Sequence, residues 1–141
     1  MKVSRFILLL AGVMLSWGLN AQKAIEKVDS PKREFRGAWL HVVGNQVFKT
    51  KTTEELKEMF IVTLDSLKLA GCNAVIFQVR PQADAFYKSE IEPWRRFLTG
   101  EQGVAPEPLW DPLAFMVEEA HKRGMELHAW CNPYRVTSTN K

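Results

Sequence analysis

The chain has 141 residues, 46% hydrophobic and 25% charged, with a formal net charge of +3. That balance belongs to a globular domain and excludes collagen, a coiled coil and a wholly disordered chain. Two cysteines are too few for a disulfide scaffold, and beyond the N-terminal stretch no apolar run reaches the ~18 residues of a membrane span.

Residues 1–21, MKVSRFILLLAGVMLSWGLNA, read as a signal peptide. Lys2 and Arg5 make the positive start, Phe6 to Leu15 the apolar stretch, and Leu19-Asn20-Ala21 the cleavage site. No cysteine precedes Cys72, so no lipidation site is expected there. The mature chain is predicted to start at Gln22 and to be secreted or periplasmic, with no stable membrane anchor after cleavage. Losing Lys2 and Arg5 takes the charge from +3 to +1. No lysine and arginine cluster interleaved with aromatics occurs, so no nucleic-acid partner is expected. Residues 22–34, QKAIEKVDSPKRE, are a polar linker, and residues 35–141 carry the predicted fold.

That fold alternates. Phe35 to Val43 is a short apolar run and a strand candidate. Thr52-x-x-Glu55 is a capping box ahead of a helical stripe of Leu56, Met59, Phe60, Thr63, Leu64, Leu67 and Ala70, stopped by Gly71. Asn73 to Arg80 is nearly all apolar, as a buried parallel strand requires. After a long segment, 81–110, Asp111 and Pro112 give an N-cap and a first-turn proline. Leu113, Met116, Val117 and Ala120 form the next buried stripe, and Gly124 ends it. Met125 to Asn132 is the third strand candidate.

The order β-α-β-α-β implies a parallel sheet with right-handed crossovers. A doubly wound open sheet and a (β/α)8 barrel both satisfy it. Strand parity favours the barrel. Val75, Phe77 and Val79 share an apolar face, and so do Leu127, Ala129 and Cys131. The opposite face carries Ala74, Ile76, Gln78 and Arg80, then Glu126, His128, Trp130 and Asn132, and turns polar toward the strand ends. A barrel lines its lumen that way and opens a site at its C-terminal mouth. The predicted fold is therefore α/β, the N-terminal three β/α units of a (β/α)8 TIM-type barrel, truncated, since such a barrel takes about 250 residues.

Segment 81–110 is too long for an ordinary connection and too aromatic for a disordered one. Phe86, Tyr87, Trp94, Phe97 and Trp110 stand among Asp84, Glu90, Glu92, Arg95 and Arg96. Such a loop should pack down on the catalytic side of a barrel. Aromatic faces beside carboxylates and guanidinium groups suit carbohydrate, whose C–H faces lie on rings and whose hydroxyls need donors and acceptors. Packing of Trp94, Phe97 and Trp110 on the rim is the competing reading. Arg80 ends the second strand, and Asp84 is its expected acidic partner. His128, Trp130, Asn132, Tyr134 and Arg135 cluster at the end of the third.

No GxSxG, P-loop, GxGxxG or HExxH motif occurs. His41 and His128 lack a clear third ligand, so neither a metal nor another cofactor is expected. Cys72 and Cys131 fall at opposite ends of adjacent strands, about 20 Å apart by strand rise, too far for a disulfide.

The stretches EFRGAWL, NAVIFQVRPQADAFYKSEIEPWRRFLTGEQG and DPLAFMVEEAHKRGMELHAWCNPYRV resemble the opening of the glycosyl-hydrolase-like-10 family of bacterial envelope proteins. The likeness runs from about Glu34 to Val136. It implies a (β/α)8 barrel and glycoside hydrolysis, for some members on peptidoglycan glycan strands. The matching motif positions are Arg80, Asp84, Tyr87, Glu92, Trp94, His128, Trp130, Asn132, Tyr134 and Arg135. All but Glu92 are expected to bind substrate, and Asp84 and Glu92 are the candidate catalytic carboxylates. The chain departs from the family pattern at Gln82, where glycine is frequent, and at Cys131, where leucine is. The family's Asp-Asp-Tyr stretch falls beyond Lys141.

The expected function is that of a glycoside hydrolase on a bacterial envelope glycan. Glycosidases need two carboxylates about 5–9.5 Å apart, and the strand ends here offer no such pair. The acid and base are expected downstream, so this stretch alone should be inactive and serve substrate binding. The alternatives are a non-catalytic carbohydrate-binding protein on the same barrel and a barrel enzyme holding an anionic substrate through Arg80 and Arg135.

Overall fold

The computed structural model describes residues 33–44 and 47–136. Residues 1–21, read as a signal peptide, and nearly all of 22–34, read as a linker, lie outside the described residues. The chain divides at Arg33 and Glu34, and the fold belongs to the unit that starts at Glu34. Its elements are β1 (Gly37–Leu40), α1 (Val47–Thr50), α2 (Thr53–Leu69), β2 (Ala74–Arg80), α3 (Arg96–Thr99), α4 (Pro112–Lys122) and β3 (Glu126–Cys131).

The three strands form one parallel sheet in the order β1-β2-β3. The α/β alternation is thus as the sequence implies, with the strands shorter at their ends. The single-turn helices α1 and α3 are additions that no apolar period announces. Asn73 clips the sheet's lower edge. Its Oδ1 accepts from Arg36 N at 2.8 Å, and its Nδ2 donates to the Glu34 carbonyl at 2.6 Å.

Both long helices start as their residues dictate. Thr52 Oγ1 accepts from Glu55 N at 3.3 Å while Glu55 Oε2 accepts from Thr52 N at 2.8 Å, closing the capping box. Asp111 Oδ1 accepts from Ala114 N at 3.0 Å, and Oδ2 accepts from Lys88 N at 3.0 Å. One carboxylate therefore caps α4 and pins the preceding segment to it. Gly71 follows α2 with φ +84°, a conformation costly for any residue with a Cβ.

The core lies on the Val75, Phe77 and Val79 face of the sheet. Leu56, Phe60 and Leu64 reach it from α2, and Met116 and Ala120 from α4. Phe48 of α1, Phe86 and Leu98 join it, all nearly or fully buried. Phe60 meets Phe77 edge-on at 5.6 Å, and Phe86 meets Phe77 at 6.1 Å. The 81–110 segment thus packs down on the sheet, as its aromatic content requires. Trp94 and Trp110 are half-buried against the same core.

The other face is open. Trp39 is 64% exposed and meets Trp130 edge-on at 4.8 Å, and Phe35 meets His128 at 5.3 Å. The register puts Trp39 level with His128, since Trp39 pairs with Ile76 and Ile76 with His128, and Trp130 stands two residues farther along β3, opposite Gln78. Regular pairing breaks at the top of β2. Gln78 faces Trp130, but Arg80 faces Cys131, so the register shifts by one residue there.

Candidate functional site

The site builds outward from that shift. Arg80 closes β2, and its guanidinium reaches two strands' worth of backbone. Nη1 donates to the Asn132 carbonyl at 2.7 Å, just past the end of β3. Nε and Nη2 both donate to Glu92 Oε1. The pair is mostly shielded, at 21% and 17% side-chain exposure. Glu92 holds the Arg80 guanidinium above its usual range, more than the remaining burial lowers it. Glu92 Oε2 is buried without a hydrogen-bond partner among the described residues. Tyr87 stands in the same cluster. Burial pushes its phenol up, the Glu92 and Cys131 side chains add to that, and Arg80 opposes it.

Asn132 ties the strand ends together. Its Oδ1 accepts from Trp130 Nε1 at 2.9 Å, and its Nδ2 donates to the Pro81 carbonyl at 3.0 Å. Proline 133 and the residues after it leave the sheet, and Tyr134 (96% exposed) and Arg135 stand out from it.

Asp84 does not pair with Arg80, contrary to the reading from sequence spacing. It pairs with Arg95, whose Nη1 donates to Asp84 Oδ1 at 2.8 Å, Oδ2 at 2.9 Å and Gln82 Oε1 at 3.3 Å. Both side chains are buried, at 0% and 1% exposure. The cause is backbone pairing. Ala85 bridges Trp94, with Ala85 N donating to the Pro93 carbonyl and Arg95 N to the Ala85 carbonyl, each at 2.9 Å. The segment doubles back on itself and brings residue 95 onto residue 84. Burial lowers the Arg95 guanidinium from its usual value, Asp84 opposes that, and Arg96 and then Arg135 add to the lowering. Phe97 lies under the Arg95 guanidinium at 4.5 Å.

The expected residues therefore divide. Arg80, Glu92, Tyr87, Trp130 and Asn132 come together at the strand ends. Asp84 turns away into the loop's own core, and Trp94 packs against the hydrophobic core. His128 sits mid-strand on the open face, 3.1 Å from Glu126 Oε2 and opposite Ile76. Sequence reasoning missed two structural holders. Arg95 carried no signal beyond membership of the loop. Gln78 was placed on the polar face with no partner; it is 2% exposed, and its Oε1 accepts from Val42 N at 3.1 Å and Val43 N at 3.4 Å, which fixes the chain leaving β1.

Among the described residues no group of three or more His, Cys, Asp or Glu side chains could hold a metal ion. Both cysteines are free thiols.

Residues 34–141 match the family model described as glycosyl hydrolase-like 10. The chain belongs to that family. It is 49% identical over 108 residues to the glycosyl hydrolase YngK of Bacillus subtilis (strain 168), covering 74% of this chain and 21% of that protein. It is 41% identical over 116 residues to the glycosyl hydrolase DigH of Escherichia coli (strain K12), covering 75% of this chain and 26% of that protein. The chain thus spans about a fifth to a quarter of the curated relatives it matches. The matched residues contain both arginine–carboxylate pairs, so the site described above lies wholly inside the glycosyl hydrolase-like 10 region.

Proposed function

We propose that this segment is the opening β/α portion of a (β/α)8 barrel and supplies glycan-binding residues to a glycoside hydrolase acting on an envelope glycan such as peptidoglycan strands. One observation carries the reading. At and just past the C-terminal ends of two adjacent parallel strands, Arg80 joins Glu92 and the Asn132 carbonyl, with Tyr87 nearby, and the open face of the sheet carries the aromatic pairs Trp39–Trp130 and Phe35–His128. A barrel binds its substrate at such strand ends, and aromatic faces beside hydrogen-bonding groups suit sugar rings. Family membership and the relatives' names agree with this reading.

In the proposal Arg80 orients sugar oxygens, with Glu92 fixing its geometry. Tyr87, Trp130, Tyr134 and Arg135 line the approach, and His128 and Trp39 face the lumen. Asp84 serves as an anchor through Arg95. The two candidate carboxylates, Asp84 and Glu92, are both engaged by arginine, which supports placing the acid and base elsewhere in the complete barrel. Residues 1–21 direct export, and the protein works in the periplasm or outside the cell.

The test is release of reducing ends from purified peptidoglycan glycan strands by the whole protein, with and without Arg80→Met. Release that falls at least about tenfold, the size of a lost charged hydrogen bond, supports hydrolysis through this cluster. Tight binding with no release favours the non-catalytic reading. Neither binding nor release removes glycan from the account.

A further inference from the structure

Both strands that carry the polar cluster run into a proline. Pro81 follows Arg80, the last residue of β2, and Pro133 follows Asn132, one residue past β3. Proline has no N–H, so neither position can donate to a ladder. Asn132 N still donates to the Arg80 carbonyl, at 2.8 Å. Beyond that bond the Asn132 side chain takes over. Its Nδ2 donates to the Pro81 carbonyl at 3.0 Å, and its Oδ1 accepts from Trp130 Nε1 at 2.9 Å. The Asn132 carbonyl in turn accepts from Arg80 Nη1 at 2.7 Å.

One residue therefore touches two of the groups that the glycan reading places against the sugar. Its amide oxygen holds the Trp130 indole, and its main-chain carbonyl holds the Arg80 guanidinium. An indole has a single polar hydrogen, and Asn132 takes it. What Trp130 can offer a ligand is its apolar ring, which already meets Trp39 edge-on. Both ends of the Asn132 amide are engaged within the protein. A ring and a guanidinium that are held before a ligand arrives lose less freedom on binding it.

We propose that Asn132 is a positioning residue that holds the Trp130 ring and the Arg80 guanidinium at a fixed spacing and binds no sugar itself. The inference rests on the glycan reading above and assigns roles within that site. Trp130 meets a sugar through its ring alone, and Arg80 supplies the polar contact. Asn132 moves from the residues expected to touch substrate to the one that holds two of them. The register sets their spacing. Trp130 pairs with Gln78, two residues before Arg80 on β2, which is about 7 Å along the strand. One ligand can meet both groups at that distance.

The test is calorimetric titration of the whole protein with N-acetylglucosamine hexasaccharide. Wild type is compared with Asn132→Leu, Trp130→Phe and the double variant, at a temperature where each is folded. Both single changes remove the same indole hydrogen bond. Asn132→Leu should weaken binding about tenfold, the size of one lost hydrogen bond. The double variant should lose less than the product of the two single losses, because the shared bond is lost only once. A role in stability alone would move the melting temperature and leave affinity unchanged. Losses that multiply in full, or wild-type affinity in Asn132→Leu, overturn the proposal. If Asn132→Leu does not fold, wild type carries the test through the Trp130 indole proton, identified by its absence from Trp130→Phe. That proton should resist solvent exchange before glycan is added and afterwards. A proton that exchanges freely until the hexasaccharide arrives has the sugar as its acceptor, which overturns the proposal. No hexasaccharide binding by wild type overturns the glycan reading, and the positioning role with it.

Discussion

Two arginine–carboxylate pairs sit within one short segment and differ in what surrounds them. Arg95 and Asp84 are fully enclosed, stitched by backbone bridges and floored by Phe97. Arg80 and Glu92 stand at the strand ends, part-exposed. Each pair keeps buried atoms without a hydrogen-bond partner among the described residues, Glu92 Oε2 in one and Arg95 Nε and Nη2 in the other. The same chemistry thus does two jobs. The enclosed pair fixes the shape of the loop, since neither partner can reach a ligand. The pair at the strand ends keeps a face toward the open side of the sheet, where a ligand can meet it.

The sharpest way to break this contrast is to remove one partner of the enclosed pair. Arg95→Met leaves Asp84 buried and uncompensated, which costs about 3–5 kcal/mol. Denaturant unfolding should show that loss. The double variant Arg95→Met, Asp84→Leu should recover most of it, because no lone charge then remains inside. A single variant as stable as wild type would show that water or another group already serves Asp84.

Arg80→Met should cost less, because solvent reaches part of both partners. It also loses the Asn132 carbonyl contact, so the ends of β2 and β3 should loosen first. Hydrogen exchange at Asn132 N, which donates to the Arg80 carbonyl at 2.8 Å, reads that loosening directly. Trp39→Ala should change stability by less than about 1 kcal/mol, the size of an exposed aromatic pair. A large loss there would mean that the open face carries core packing.

A weaker effect concerns pH. Hydrogen bonds from Lys122, then Arg123, hold Glu119 below the usual carboxylate range, and Arg123 does the same for Asp65. A folded-state carboxylate pKa below the unfolded value stabilises the fold fully above the unfolded value, near 4. The contribution is lost as pH falls through the lower folded value. Melting temperature should therefore hold down to about pH 4–5 and drop below it. Glu119→Gln should flatten that drop, and Arg80→Met should leave it in place.

The elements were legible in the sequence because their signals are local. The Thr52 capping box, the Asp111-Pro112 start and the apolar run of β2 each lie within a few residues, and the structure keeps all three. The partner exchange between Arg80 and Asp84 was not legible. It depends on residue 85 meeting residue 94, a pairing inside a loop with neither helical nor strand period. Glu119, outside the apolar stripe of α4, is nonetheless 9% exposed, paired with Lys122 and Arg123. Asn132 looked like a site residue by type, and like Gln78 it spends side-chain atoms on strand-end contacts.

The division of labour between the two arginines is tested most directly by glycan affinity at constant fold. Calorimetric binding of N-acetylglucosamine hexasaccharide is compared between wild type and Arg80→Met, at a temperature where both remain fully folded. The account predicts that affinity falls about tenfold or more, the size of a lost charge-assisted hydrogen bond. Unchanged affinity in a folded Arg80→Met protein would contradict it and leave Arg80, like Arg95, a residue that only holds the loop.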